Sequence, residues 1–292
     1  MSKIITTNRP RRSALYMPAS NAKAISKART LAADIIILDL EDSVAPENKH
    51  AARAAAIAAV TEGGFGNREI AIRANGLDTE WGADDLAAIA ASPAHAVLVP
   101  KVSTASDITI YNAALAHARP QMQLWAMIET CQSINNLSAI AAMSATTRLS
   151  LWIMGLNDLA KEMRAKSTPD RAAFQSILSL AICAARANNL TILDSVCNEF
   201  RDLGLFTQEC QQGQIFGFDG KSLIHPDQIT PCNAVFSPNP EELAHAAAII
   251  AAFALPENSG KGVIRVDGKM TELLHRDQAQ QLLDLAAQIA AN

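Results

Sequence analysis

Aromatic residues are scarce in this chain, 4% of the total, which argues against a β-sandwich core and against a surface that stacks nucleobases. Positive charge is not in surplus either. The formal net charge is −4, so no basic face of the kind that binds nucleic acid is expected. No apolar run reaches the ~18 residues of a membrane span. Met1 to Arg12 is polar and basic, without the apolar core of a secretory signal. Cys131, Cys183, Cys197, Cys210 and Cys232 are odd in number, scattered, and form no Cys-x-x-Cys pair. Such a set reads as reduced thiols in a cytoplasmic protein, most simply as small core residues.

What the chain does have is aliphatic bulk. Hydrophobic residues, mostly Ala, Leu and Ile, make up 49% of its 292 positions, enough for one large α/β domain or two small ones. The stretch from Leu124 to Leu159 sets the pattern. Leu124-Trp125-Ala126-Met127-Ile128 ends on Glu129, and Leu149-Ser150-Leu151-Trp152-Ile153-Met154 leads past Gly155-Leu156-Asn157 to Asp158. Short apolar runs bounded by polar residues read as strands buried on both faces. Ser133 to Met143, between them, has helical spacing. In a parallel pair both carboxylates emerge on one edge. Two convergent carboxylates with no histidine nearby suit a hard divalent ion such as magnesium; they could equally be helix-capping or loop acids.

The same alternation runs through the chain. Ser13 to Met17 is a strand closed by Pro18, Asn21 to Ala33 a helix, and Ile35 to Leu38 a strand running into Asp39-Leu40-Glu41-Asp42. Pro46 to Val60 is an Ala-rich helix, Glu69 to Ile72 a strand ending at Arg73 and Asn75, and Ala96 to Val99 a strand ending at Pro100-Lys101. Helices are expected from about Ala83 to Ala91, over Ser106 to Ala118, and over Asp170 to Asn188 after a Pro169-Asp170 start. Thr191 to Leu193 ends at Asp194, and Ile215 to Ile224 holds an eighth strand ending near His225-Pro226. Strands alternating with helices predict a parallel sheet, and eight of them close a (β/α)8 TIM barrel. The competitor is an open doubly wound sheet, weakened because no Gly-x-Gly-x-x-Gly follows the first strand. Residues 1–236 are assigned to the barrel and 237–292 to a C-terminal helical and hairpin arm or lid. The arm has a helix from Glu241 to Phe253, a Gly-containing hinge, a turn at Asp267-Gly268 and an amphipathic helix from Leu273 to Ala291.

Barrel active sites lie at the carboxyl ends of the strands. There the sequence gathers Asp39, Glu41, Asp42, Arg73, Lys101, Glu129, Asp158, Asp194 and His225. So many acids on one edge are strained unless a metal or a substrate cation balances them. Arg73 suits a bidentate grip on a substrate carboxylate, or a structural bridge to one of the acids. Lys101 could form a Schiff base. Lys23 and Lys27, one helical turn apart, make either a solvated face or a phosphate contact.

Several ordered motifs then resemble one family. They are Arg12-Ser13-Ala14-Leu15-Tyr16-Met17-Pro18, Leu38-Asp39-Leu40-Glu41-Asp42-Ser43-Val44, Ile72-Arg73-Ala74-Asn75, Val99-Pro100-Lys101 and Ile128-Glu129-Thr130. Gly155-Leu156-Asn157-Asp158-Leu159, Gly217 to Pro226 and Asp267-Gly268-Lys269-Met270 complete the set. The chain resembles, over nearly its whole length, the citrate lyase β-subunit family of the HpcH/HpaI aldolase group. The resemblance implies a (β/α)8 lyase, magnesium-dependent and often trimeric, that cleaves 3-hydroxyacyl thioesters. It implies Glu129 and Asp158 as magnesium ligands, with Arg73 on the reacting part of the substrate. Asp39, Glu41 and Asp42 would order water and Arg73 around the ion. Arg12, Lys23 and Lys27 would meet coenzyme A phosphates, with Ile224 and His225 near its adenine end. The arm would cover a neighbouring subunit's site and present Glu272, where many relatives carry Asp. Pro18-Ala19-Ser20 stands where the family commonly has Pro-Gly.

The expected reaction is cleavage of (S)-citramalyl-CoA to pyruvate, a 2-oxo acid, and acetyl-CoA. Magnesium would chelate the hydroxyl and carboxylate of the acyl-CoA, Arg73 would steady the enolate, and Glu272 or a metal-bound water would protonate it. Malyl-CoA lyase and the β subunit of citrate lyase, acting on a carrier-bound citryl thioester, are the alternatives within the family. A Schiff-base aldolase using Lys101 and a non-catalytic assembly subunit lie outside it. A homotrimer, or a multiple of one, without nucleic-acid or membrane partners, is the expected assembly.

Overall fold

The computed structural model describes residues 9–291. The chain forms two compact units, one spanning 11–234 and one from Val235 onward that also takes in Arg9 and Pro10. In the first, eight parallel strands close into a barrel in sequence order. They are β1 (Ser13–Pro18), β2 (Ile35–Asp39), β3 (Glu69–Arg73), β4 (Ala96–Val99), β5 (Gln123–Ile128), β6 (Leu149–Met154), β7 (Thr191–Asp194) and β8 (Gly220–Leu223). β1 pairs with β2 on one side and β8 on the other, which closes the ring. The helices between them are α1 (Ala22–Ala28), α2 (Lys49–Glu62), α3 (Gly82–Ala90), α4 (Ala105–Ala114), α5 (Cys131–Asn135), α6 (Leu137–Ala142), α7 (Leu156–Met163), α8 (Gln175–Ala187), α9 (Leu203–Phe216) and α10 (Ile229–Val235). The (β/α)8 expectation holds.

Every residue of β2, β3, β5 and β6 is buried, as strands covered on both faces must be. Alternate side chains point inward. Ile35 and Ile37, Ala71, Trp125 and Met127, Leu151 and Ile153, and Leu193 fill the middle of the barrel. Below them, at the amino ends of the strands, a polar layer plugs the floor. Arg11 donates to both oxygens of Glu69 (2.7 and 2.9 Å) and to Gln123 (3.1 Å). Gln123 also accepts from Ser150 and from the Trp125 indole.

Some boundaries differ from the sequence-based expectation, each for a local backbone reason. Ile215 and Phe216 end α9 instead of opening the last strand, because Gly217 turns left-handed (φ 101°) and caps the helix. The helix expected from Asp170 begins at Gln175, since Arg171 sits at φ 54°. The helix between β5 and β6 breaks at Asn136 into α5 and α6.

The second unit packs α11 (Pro240–Ala254) and α12 (Leu273–Ala291) with a hairpin of β9 (Val263–Val266) and β10 (Lys269–Glu272). Asp267 and Gly268 both have positive φ, 49° and 77°, the geometry a two-residue hairpin turn demands. Ala246, Ile249, Ile264, Val266 and Ala279 form its core. Among the described residues, no helix is long and apolar enough to cross a membrane.

The floor plug yields a stability prediction. Arg11 and Glu69 have only 4% and 3% of their side chains exposed, so Glu69→Ala strands a buried guanidinium. The expected loss is roughly 3–5 kcal/mol, read as a lower urea midpoint; a change below about 1 kcal/mol would refute the plug's contribution.

Candidate active site

The inward positions of β2, β3 and β5, followed one step beyond the apolar layer, land on Asp39, Arg73 and Glu129. The sheet register sets Asp39 directly beside Arg73, so two inward side chains of opposite charge meet at the carboxyl edge. Arg73 donates to both Asp39 oxygens (2.6 and 2.7 Å) and to Asp42 (3.2 Å), and its guanidinium lies 4.9 Å over the Tyr16 ring. Asp39 also accepts the backbone N–H groups of Glu41 and Ser43. Burial pushes against ionisation, yet Arg73 and these donors hold the Asp39 carboxyl below its ordinary value. Against the same pull of burial, Asp39 keeps Arg73 firmly protonated. Glu41 has an oxygen 2.8 Å from an Arg73 nitrogen, but that oxygen is buried without a well-directed hydrogen bond. Its carboxyl is raised, mainly by burial.

Glu129 is strongly perturbed. It is 2% exposed, and burial first, then Glu41 and Asp158, push it up to about 8. The Lys101 backbone N–H donates to its carboxylate at 2.8 Å. To point that N–H at the carboxylate, Lys101 adopts a left-handed φ of 51°, strain of the kind that collects at functional sites. The Lys101 ammonium is half exposed and lies 3.4 Å from Glu41. Burial lowers its pKa, but Glu41 and Asp158 outweigh that and raise it. A Schiff-base lysine needs the opposite shift, so this environment speaks against that alternative.

Asp158 occupies the first turn of α7 and lines, with Glu129, Arg73, Asp39, Asp42 and Tyr16, a cleft of about 290 Å³. Gly155 is what brings the two carboxylates together. A Cβ there would stand 2.5 Å from the Glu129 Cβ and collide with its carboxylate oxygen. Across the cleft, Asn157 and Asn198 exchange two side-chain hydrogen bonds (3.2 and 2.7 Å), linking the segments after β6 and β7. Ile224 also lines the cleft, and His225 stacks on Phe200 with ring centroids 5.0 Å apart.

Other expected residues lie elsewhere. Arg12 precedes β1, at the amino edge, where its guanidinium and backbone N–H hold Asp34; the expected phosphate contact does not fit that placement. Asp194 alternates with the inward Leu193 and so points outward. It is fully buried there between Arg171 (2.7 Å) and Lys221 (3.1 Å), and it leaves the group of mouth acids. Lys23 and Lys27 are exposed on α1, just past the carboxyl end of β1. Glu272 ends β10 in the second unit, its N–H donating to His275 at 2.9 Å. Tyr16, Gly155 and Asn198 carry geometry that sequence reading did not assign. Tyr16 was accessible in principle, as the next inward position after Ala14.

Residues 12–226 match the model of the HpcH/HpaI aldolase/citrate lyase family. The chain belongs to that family. Over 282 residues, 97% of this chain and 96% of the relative, it is 49% identical to a (3S)-malyl-CoA thioesterase of Cereibacter sphaeroides. It is 32% identical over 285 residues to the citrate lyase subunit beta of Escherichia coli, covering 95% of this chain and 94% of that one. Among solved structures it resembles CitE of Mycobacterium tuberculosis in complex with magnesium, acetoacetate and coenzyme A. That match has a TM-score of 0.77 and 28% identity, and covers 94% of this chain and 97% of the other. The HpcH/HpaI fold and lyase lineage expected from the motifs are therefore established.

Gly155 supplies the direct test of the cleft. Gly155→Ala is expected to leave the far-UV circular dichroism unchanged and to cut turnover by about a hundredfold, because it displaces Glu129. Undiminished turnover would show that the position of Glu129 is irrelevant.

Proposed function

We propose that this protein is a magnesium-dependent enzyme acting on the coenzyme A thioester of a small hydroxy dicarboxylic acid, with hydrolysis of (3S)-malyl-CoA to malate and coenzyme A as the first reading. The observation that carries the substrate class is the meeting of Glu129, Asp158 and Arg73 on one edge of the barrel. Support for hydrolysis comes from the 49% identical relatives. Cleavage of (S)-citramalyl-CoA to pyruvate and acetyl-CoA is the second reading. It is favoured by the citrate lyase β relatives and by a solved CitE holding magnesium and pyruvate.

The cleft fits a hard divalent cation. Its donors are carboxylate oxygens, and a cation there would offset the burial and, after it, the neighbouring acids that together lift Glu129 to about 8. Among the described residues no group of three or more His, Cys, Asp or Glu gathers as a ready-made cage. Magnesium is commonly held by one or two carboxylates, the rest of its shell being water and substrate. Glu129 and Asp158 would hold the ion, which when bound supplies Lewis acidity toward substrate oxygens.

The remaining work falls to the chain's own groups. Arg73, fixed and kept cationic by Asp39, faces negative charge that develops on the substrate. Asp42 has 61% of its side chain exposed and lies 3.2 Å from Arg73, so it can take a proton from water or from a hydroxyl at the open side of the cleft. Ile224 and the stacked Phe200–His225 pair offer a half-exposed apolar ledge for the coenzyme. Lys23 and Lys27 on α1 are the phosphate-binding candidates. Glu272 is assigned proton donation, on the family resemblance alone, and the homotrimer rests on the same ground.

The purified chain, given magnesium and each thioester in turn, tests the choice. Free thiol with malate from (3S)-malyl-CoA, and no acetyl-CoA, supports hydrolysis. Acetyl-CoA appearing with pyruvate from (S)-citramalyl-CoA supports the second reading, acetyl-CoA with glyoxylate from malyl-CoA would instead mark a malyl-CoA lyase, and full turnover in excess EDTA overturns the magnesium assignment throughout. Glu272→Gln should lower kcat by roughly 10²–10⁴-fold if that group moves a proton.

The raised Glu129 carboxyl also sets a pH dependence. Below about 8 the cation-free protein carries a proton on Glu129 that magnesium must displace. Apparent affinity should therefore climb with pH, on the order of tenfold per unit, and level off above that point. A folded pKa above the unfolded one means that the cation-free fold loses stability as pH rises through this range. Calorimetric titrations between pH 6 and 9 would contradict the assignment by showing a flat profile.

A further inference from the structure

We infer that Glu162 is a positioning residue that holds Asp158 opposite Glu129, an assignment that rests on the magnesium reading of the cleft. Asp158 and Glu162 are one turn apart on α7 and so share a face of that helix. The Glu162 carboxylate accepts the backbone N–H of Cys131 at 2.7 Å. Cys131 opens α5, two residues beyond Glu129. A single charge-assisted hydrogen bond therefore ties the helix that carries one carboxylate to the turn that carries the other.

Few other features hold α7 in place. The Gly155 cap of α7 makes no side-chain hydrogen bond, and the helix ends at Arg164 in a left-handed conformation (φ 55°). Leu156 and Leu159 anchor its inner face, and the Asn157–Asn198 pair holds its first turn from the β7 side. Glu162 holds it from the β5 side. Without Glu162, Asp158 keeps its chemistry and loses its place.

Magnesium titration calorimetry on the wild-type protein and on Glu162→Ala, Glu162→Gln and Glu162→Asp tests this. The glutamine oxygen still reaches the Cys131 N–H, so Glu162→Gln should bind magnesium within about threefold of wild type. Alanine removes the acceptor and aspartate withdraws it, so both should weaken binding by about tenfold or more. At saturating magnesium their kcat should return to within about threefold of wild type, separating positioning from chemistry. If Glu162→Ala does not fold, the glutamine–aspartate comparison alone decides. Wild-type affinity in Glu162→Ala or Glu162→Asp overturns the inference and leaves the proposed function standing. Equal losses in Glu162→Gln and Glu162→Asp overturn it too, because charge and not the hydrogen bond would then matter. A wild-type protein that takes up no magnesium overturns both.

Discussion

A guanidinium that is 7% exposed must be paired, and the pairing of Arg73 organises the mouth of this barrel. Burying such a charge costs several kcal/mol unless an acid with good geometry meets it. Asp39 does so with both oxygens, and it can because strand register leaves it no other neighbour on that side. Two backbone N–H groups satisfy the rest of Asp39, and the Tyr16 ring supports the guanidinium from below. Glu41 and Asp42 then add acid that Arg73 alone cannot neutralise. Part of that surplus bears on Glu129, itself 2% exposed. One buried ion pair thus fixes an orientation, and the charge left over defines a place for a cation.

The fold was legible because a barrel strand writes its burial into sequence. Ile35 to Leu38 and Leu124 to Ile128 are apolar on both faces, and strand residues of that kind have few other architectures open to them. Where strand meaning depended on a single glycine conformation, as at Gly217, the apolar Ile215-Phe216 misled by one helical turn. The site was legible in part for the same reason. Asp39, Arg73 and Glu129 continue an inward period of two, so their convergence follows from spacing. Asp194 broke the pattern because parity, not position along the strand, decides which side of the wall a residue faces; its strand puts Leu193 inside and therefore Asp194 outside. Arg12 failed on polarity of direction: a residue that precedes a strand lies at the edge opposite the one that follows it. The approach of Gly155 to Glu129 and the Asn157–Asn198 pair were not legible, since both are distances between loops.

The barrel separates stability from chemistry by layering. The Arg11–Glu69–Gln123 floor and the Arg73–Asp39 mouth use the same device, a buried guanidinium gripped by both oxygens of a buried carboxylate. Between them lie the buried apolar side chains of Trp125, Met127, Leu151 and Ile153. The floor is closely balanced in charge, with its hydrogen bonds turned on one another. The mouth is left acidic and strained, with Lys101 in a left-handed conformation and a Glu41 oxygen poorly bonded. Strain of that kind is held in place by the surrounding structure and collects at functional sites.

That division bears on how one family can contain both thioesterases and lyases. Breaking the C–S bond and breaking the C–C bond both begin with a hydroxy acid anchored by its oxygens and a thioester carbonyl held near a cation. The groups suited to that anchoring, Glu129, Asp158 and Arg73, sit at the end of a barrel strand or within the first turn after one. The two outcomes diverge only in which proton moves and whether water reaches the carbonyl. Groups that govern those steps need not lie on the barrel wall. In this chain the Asn157–Asn198 bridge stands at the rim, on segments whose side chains are free of the barrel's inward period. A cleft built this way keeps its grip on the substrate while its reaction is altered by residues that contribute little to folding.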